Sequence, residues 1–211
     1  MHNQVSFLDD GLEDYSFIGV ARDDGKTKGE YSCILYNQKR FEVKIQGTFW
    51  LSGTPDRVSK GWDAALPRVC TFGRFRSIET GQEFWVFNTH FDHMGVEARN
   101  KSAELIVAMI NQMNNTDLPV ALLGDFNAQP DDQPILTIKS SLTDALSISK
   151  KSLYGPEGTF NGFNNQVVKN RIDYIFVKDM QVHSYEHVDD KLDNNKHLSD
   201  HLPVLMYASF E

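Results

Sequence analysis

Apolar residues along this chain fall into short blocks, and the spacing inside each block sets the element it predicts. Ser32–Tyr36 and Phe41–Leu51 are rich in aromatic and β-branched residues and read as strands, stopped by the turn formers Gly53-Thr54-Pro55-Asp56. Arg68–Ile78 and Glu83–His90 read as two further strands, joined by Glu79-Thr80-Gly81-Gln82 into an antiparallel hairpin. Leu105, Ile106, Met109, Ile110 and Met113 recur at helical spacing. Glu97, Arg99, Asn100 and Lys101 lie nearer the start of that helix, and Asn114 and Asn115 stop it. Pro119–Leu123 is a short continuous apolar run, hence a buried strand, and it leads straight into Gly124-Asp125-Phe126-Asn127. Gly155, Pro156, Gly158 and Gly162 mark a long surface loop, after which Arg171–Val177 and Leu202–Phe210 read as strands. Many strands, hairpin links and few helices predict an α+β sandwich of two packed sheets. No repeat, low-complexity segment or linker divides the chain, so residues 1–211 read as one domain.

Polar residues collect where this pattern places strand ends. One strand ends in Asn88-Thr89-His90-Phe91-Asp92-His93 and the buried one in Gly124-Asp125-Phe126-Asn127. A third carries Arg171-Ile172-Asp173-Tyr174, and the last is preceded by Ser199-Asp200-His201-Leu202-Pro203. If these ends converge, they form a pocket of carboxylates, imidazoles and amides suited to hydrolysis of a phosphate ester. Asp125 can deprotonate or orient water. Asn127, two residues on, can face the same side of an extended segment and position the nucleophile or touch the phosphate. Asp200 is an oxygen ligand of the kind Mg²⁺ prefers. His201 acts best as imidazolium, a form that a neighbouring carboxylate such as Asp173 favours, and His90 can donate to another phosphoryl oxygen. Each piece alone has a plainer reading: an Asx-turn for Gly-Asp-Phe-Asn, a loop cap for Ser-Asp-His, a structural histidine, a surface ion pair. His93, His183, His187 and His197 lack comparable surroundings and read as surface or structural residues.

Composition narrows the substrate. A net charge of −8, with 40% hydrophobic and 24% charged residues, is ordinary for a globular domain and opposes a grip on nucleic acid through counterion release. A phosphorylated small-molecule or nucleotide-like substrate fits better than duplex DNA. Trp85 and Trp50 read as core residues, while Trp62 is free to line a pocket. Cys33 and Cys70 sit in apolar strands and read as buried free thiols. No apolar run approaches the roughly 20 residues needed to cross a bilayer. As it stands the N-terminus has no leader pattern, which suits the cytoplasm, with secretion open if a leader lies ahead of Met1.

At the four strand-end motifs the sequence resembles the endonuclease/exonuclease/phosphatase superfamily, the DNase I-like group. Gly19–Lys26, Gly29–Ser32, Gly47–Ser52 and Trp62–Arg68 are similar to a bacterial subgroup without an assigned substrate. The resemblance implies a four-layer α/β/β/α sandwich of two mainly antiparallel sheets with the site at one end. It implies Asp125 activating water with Asn127 as partner, Asp200 near Mg²⁺ (or Mn²⁺), His201 on the phosphate oriented by Asp173, and His90 as second catalytic histidine. Asp92 and Arg99 follow a subgroup-like pattern without an assigned role. Members of the family open with an Asn-bearing strand and a second strand ending in Gln-Glu, whose Glu is a metal ligand. Met1-His2-Asn3-Gln4 resembles the segment just after that Glu, so the chain reads as N-terminally truncated.

Three expectations follow. The chain should expose unpaired strand edges, which favour a dimer. It should bind metal weakly, and its activity should be low or absent beside that of a longer form. The alternatives to a metal-dependent phosphoesterase are a non-catalytic module that binds a phosphorylated ligand in the same cleft, and a Mg²⁺-dependent nuclease.

Overall fold

The structure, a computed structural model, describes residues 1–210. Helix α1 (His2–Gly11) precedes strands β1 (Tyr15–Ile18) and β2 (Ile34–Asn37), which pair antiparallel. Strands β3 (Phe41–Trp50), β4 (Val69–Ser77) and β5 (Glu83–His90) form an antiparallel meander. Helix α2 (Val96–Met113) then returns the chain to β6 (Val120–Asp125), which runs parallel to β5, as a crossover of this length allows. Helix α3 (Gln133–Lys139), a two-residue β7 (Thr143–Asp144), a 3₁₀ turn (Ala145–Ile148), β8 (Asp173–Lys178), β9 (Met180–His187) and β10 (Val204–Phe210) follow. The main sheet has six strands in the order β3-β4-β5-β6-β8-β7, and β9 and β10 pair separately.

Two apolar layers hold this arrangement. On one face of the main sheet, Phe87, Leu122, Tyr174 and Phe176 pack with Ile106 and Ile110 of α2 and Ile135 and Ile138 of α3. On the other face, Ala121, Ile175 and Val177 meet Met180, Val182 and Tyr185, while Phe75 meets Ile18 and Ile34. The alternation of buried and half-buried residues along β5 matches a sheet with one face packed and the other partly open. Helix α1 contacts β1, so helix, sheet, sheet and helix succeed one another as DNase I-like domains require.

The second layer consists of two hairpins, β1–β2 and β9–β10, that do not pair with each other. Between them the inner face of β5 and β6 opens in two cavities of about 550 and 440 Å³, with Phe84 lining both, Ala121 and Phe210 the larger, and Val86 and Leu123 the smaller. The two hairpins leave strand edges unpaired, and Tyr207 of β10 is 58% exposed. Helices α1 and α3 and strands β1, β7 and β9 were not anticipated. Strand β9 hides its period because its ladder to β10 shifts register, so that Met180 and Val182 are followed inward by Tyr185 and His187 instead of an unbroken alternation. The strands predicted at Arg171–Val177 and Leu202–Phe210 begin two residues later, at Asp173 and Val204. Cys33 and Cys70 are free thiols, and burial raises both pKa values.

The turn out of β6 depends on a single glycine. Gly124 has φ +142°, and a Cβ there would lie 1.9 Å from the backbone oxygen of Thr89 on β5. Only glycine lets β5 and β6 approach at this level. Gly124→Ala is expected to destabilise the fold by about 3 kcal/mol or more, read from urea unfolding at unchanged m-value.

Candidate active site

Strand register brings the first polar side chains together. His90 is the β-ladder partner of Asp125 across the parallel β5–β6 pair, and Asp125 is the partner of Asp173 across the antiparallel β6–β8 pair. Partners in register project to one face of a sheet, so three adjacent strands each present one functional residue at a single level. His90 Nε2 lies 3.3 Å from Asp125 Oδ2. His201 arrives from the segment before β10. That segment is tied down by the Leu202 N–H donating to the Thr159 carbonyl (2.7 Å) and by backbone pairing of His201 with Phe160. The Nδ1–H of His201 donates to Asp173 Oδ2 at 2.8 Å, and its Nε2 stands 3.9 Å from Asp125 Oδ2. The Thr159 hydroxyl, fully buried, accepts the N–H groups of Ile172 and Asp173 and so fixes the start of β8.

Asn127 belongs to the same cluster. Its backbone N–H donates to Asp125 Oδ1 (2.8 Å), so the Asx-turn reading of this motif is also correct. That bond occupies one carboxylate oxygen and leaves Oδ2 facing both histidines. The Asn127 amide is held by the Phe91 carbonyl at 3.0 Å and lies 3.4 Å from Asp125 Oδ2, with φ +46°. Asp200 sits one residue before His201. Its carbonyl accepts the N–H groups of Asn161 and Gly162, and its carboxylate accepts from the Ser199 hydroxyl at 3.4 Å. The tight donor group of Asp125, Asp173 and His201, with one ligand atom from each within 4.8 Å of the others, does not include it.

The electrostatics separate Asp125, His90 and His201. Burial, and then the charge of Asp173, pushes the Asp125 carboxyl up to about 6. Burial, reinforced by Arg68 and Arg22, lowers His90 to about 3, which makes it neutral at pH 7. For His201 burial opposes the proton, but the hydrogen bond to Asp173 and the charges of Asp173, Asp125 and Asp200 together outweigh it and raise the pKa above 6.5. A carboxylate poised near neutrality beside an imidazolium is the pairing that proton transfer requires.

Three residues beside this group had been given no role in the sequence. Glu30 Oε2 lies 3.9 Å from His90 Nδ1, ion-pairs with Arg22, and is 3.9 Å from Arg68 Nη1. All three sit in stretches that had served only to mark the subgroup. Asp92, without an assigned role in sequence, is 1% exposed. It accepts the N–H groups of Ala65, Leu66, Met94 and Gly95 and the Nε–H of Arg68. These bonds hold its pKa well below the usual carboxylate range against the opposing effect of burial. Asp63 caps α2 from the same loop through the N–H groups of Glu97 and Ala98. Arg99 donates to the Asp92 carbonyl. Asp92, Asp63 and Arg99 thus hold the loop that carries Arg68. His187 and His197 are buried, consistent with a structural role; Trp85 and Trp50 are core residues.

Residues 12–201 match the sequence model of the Endonuclease/Exonuclease/phosphatase family. The chain belongs to that family. Its members are hydrolases, phosphatases and nucleases among them, so the chain is an enzyme by kinship. A mannosyl-6-phosphatase from Bacteroides thetaiotaomicron is 39% identical at TM-score 0.94, covering 99% of this chain and 82% of that one. A family member from Bacteroides vulgatus is 37% identical at TM-score 0.93, covering all of this chain (100%) and 82% of the other. The human Nocturnin catalytic domain, 18% identical, shares the fold at TM-score 0.77 over 100% of this chain and 78% of its own. Family members commonly use a divalent metal, and the carboxylate–imidazole group offers a place for one. No helix among the described residues is long and apolar enough to cross a membrane.

The raised Asp125 pKa has a consequence for stability. The unfolded value is 3.8 and the folded one about 6. The folded state therefore holds this proton more tightly, and stability is lost as pH rises from below 4 to above 6. In EDTA the loss amounts to no more than about 3 kcal/mol, and Asp125→Asn abolishes it. The melting temperature of the variant is expected to exceed that of the parent by more at pH 8 than at pH 5, measured by calorimetry.

Proposed function

We propose that this chain is a single catalytic domain that hydrolyses phosphate esters of small soluble compounds with a divalent cation, Mg²⁺ or Mn²⁺. The observation that carries the reading is Asp125: a largely buried carboxylate with one oxygen turned to both His90 and His201, and a pKa of about 6. Asp125 takes the proton of the attacking water. Asn127 limits the rotation of that carboxylate through its two contacts. His201, held by Asp173, presents Nε2 to a phosphoryl oxygen as an imidazolium donor. His90, neutral, offers a single ring N–H to a second oxygen.

The donor set suits a hard cation. Asp125 and Asp173 crowd each other enough that repulsion helps raise the Asp125 pKa, a strain that a dication relieves. Asp125 and Asp173 would hold it, with Asp200 as the next carboxylate. When bound, it would neutralise charge on the phosphoryl oxygens. The 39% identity to a mannosyl-6-phosphatase supports a sugar phosphate as the first substrate to test.

With Mg²⁺ and a panel of sugar phosphates, Asp125→Asn is expected to lose at least about 10²-fold in kcat/KM. The Asp125 carboxyl titrates near 6 without metal; with Mg²⁺ held beside it the acid limb of the pH profile should lie below that value, and activity should fall above the raised His201 pKa as the imidazolium is lost. Asp173→Asn removes the main proton-stabilising partner and should move the alkaline limb to lower pH. Full activity of Asp125→Asn would overturn the reading.

A further inference from the structure

We propose that Arg22 and Arg68 form an anion subsite beside His90 that receives the additional charge of a phosphate monoester dianion, with Glu30 as the resident carboxylate that the substrate displaces. The assignment of that anion to the substrate's own phosphoryl group rests on the hydrolase reading above. The subsite itself rests on separate observations.

Both guanidiniums are nearly fully buried, Arg22 at 9% and Arg68 at 4% exposure. Burying such a group is costly unless its N–H groups find partners. The Nε–H of Arg68 meets Asp92 at 3.4 Å and its Nη2 meets His93 Nδ1 at 3.0 Å. Its buried Nη1 has no hydrogen-bond partner, and Glu30 stands 3.9 Å away. Arg22 Nη1 is bonded to Glu30, but its buried Nε has no hydrogen-bond partner, with Asp23 Oδ1 at 3.5 Å. Arg22, Arg68 and His90 Nδ1 therefore converge on one carboxylate oxygen, Glu30 Oε2. Glu30 is the loosest member of the cluster, with a side chain 46% exposed. Its oxygen marks where an oxygen of an incoming anion would sit. The charge of Asp92 is already taken up by four backbone N–H groups and Arg68, so Asp92 does not compete for that place.

The donor inventory points to a monoester. A monoester dianion presents three non-bridging oxygens and a diester two. The proposed catalytic groups offer one free imidazole N–H from His201 and one from His90. The Asn127 amide nitrogen is already engaged by Phe91 and Asp125. The third charged oxygen needs further donors, and the unpaired Arg68 Nη1 faces the same Glu30 oxygen as His90 Nδ1, whose other ring nitrogen faces Asp125. Guanidinium is the side chain suited to binding two phosphate oxygens at once. An esterified oxygen in that position would lose these bonds.

The test is calorimetric titration of the chain with inorganic phosphate in EDTA, comparing the parent, Arg22→Gln and Glu30→Gln, with each variant's fold checked by thermal melting. Arg22→Gln should weaken phosphate binding at least tenfold. Glu30→Gln should tighten it several-fold, because the competing carboxylate is gone. A purely structural brace predicts that both variants weaken binding or that neither changes it, and either result overturns the proposal, as does no phosphate binding by the parent. Glu30 lies at the surface, so its variant decides the matter if Arg22→Gln fails to fold. In a second arm with Mg²⁺, Arg22→Gln should lose at least tenfold more kcat/KM on 4-nitrophenyl phosphate than on bis(4-nitrophenyl) phosphate; equal losses overturn the monoester assignment. If neither this chain nor a form extended ahead of Met1 hydrolyses either ester, the hydrolase reading fails, while the phosphate titration still judges the subsite.

Discussion

The site depends on the register of three neighbouring strands. β5, β6 and β8 are locked so that His90, Asp125 and Asp173 stand side by side. That alignment places two carboxylates within reach of each other in a largely buried setting, where like charges cannot both ionise at their usual pKa. The fold tolerates the conflict because His201 bonds one carboxylate and faces the other. Slip any of these strands by one residue and the polar side chain turns into the apolar layer on the opposite face. Gly124 holds the register by letting the backbone of β6 pass close to β5.

Around this row the supporting structure is mostly backbone chemistry. Thr159 fixes β8, the Asn161 and Gly162 N–H groups hold the carbonyl before His201, and Asp92 gathers two loops at the end of β5. Polar residues whose hydrogen bonds are satisfied in this way keep the catalytic side chains in few rotamers. The same loops carry Arg68 to His90. The chemistry of the carboxylate row and the charge of the arginine pair are therefore set by one structural unit.

Much of this was legible in the sequence because the relevant signals are local. An apolar run ending in Gly-Asp-Phe-Asn fixes a buried strand and its polar terminus, and the β4–β5 hairpin follows from its turn residues. Asp125, Asn127, Asp173, His90 and His201 were selected by position at strand ends, and the fold gathers them. Glu30, Arg22 and Arg68 were not selected, because their meeting depends on long-range packing between the segment after β1 and the loop before β4. No periodicity in a single sequence encodes that meeting. β9 escaped notice because a register shift against β10 breaks its alternation, so that Met180 and Val182 are followed inward by Tyr185 and His187. The pairing of β1 with β2 lies at the same level: strand propensity names strands, but pairing across a sheet is a property of the whole chain.

The central claim is that Asp125 and His201 share one electrostatic site, with the carboxyl raised and the imidazole proton retained. Carbon-13 NMR of labelled Asp and His side chains, titrated from pH 4 to 9 in EDTA, measures both directly. The account predicts an Asp125 carboxyl titrating near 6 and a His201 ring above 6.5, each shifted when the other is replaced. An Asp125 carboxyl that titrates near 3.8 and ignores His201→Gln would contradict it.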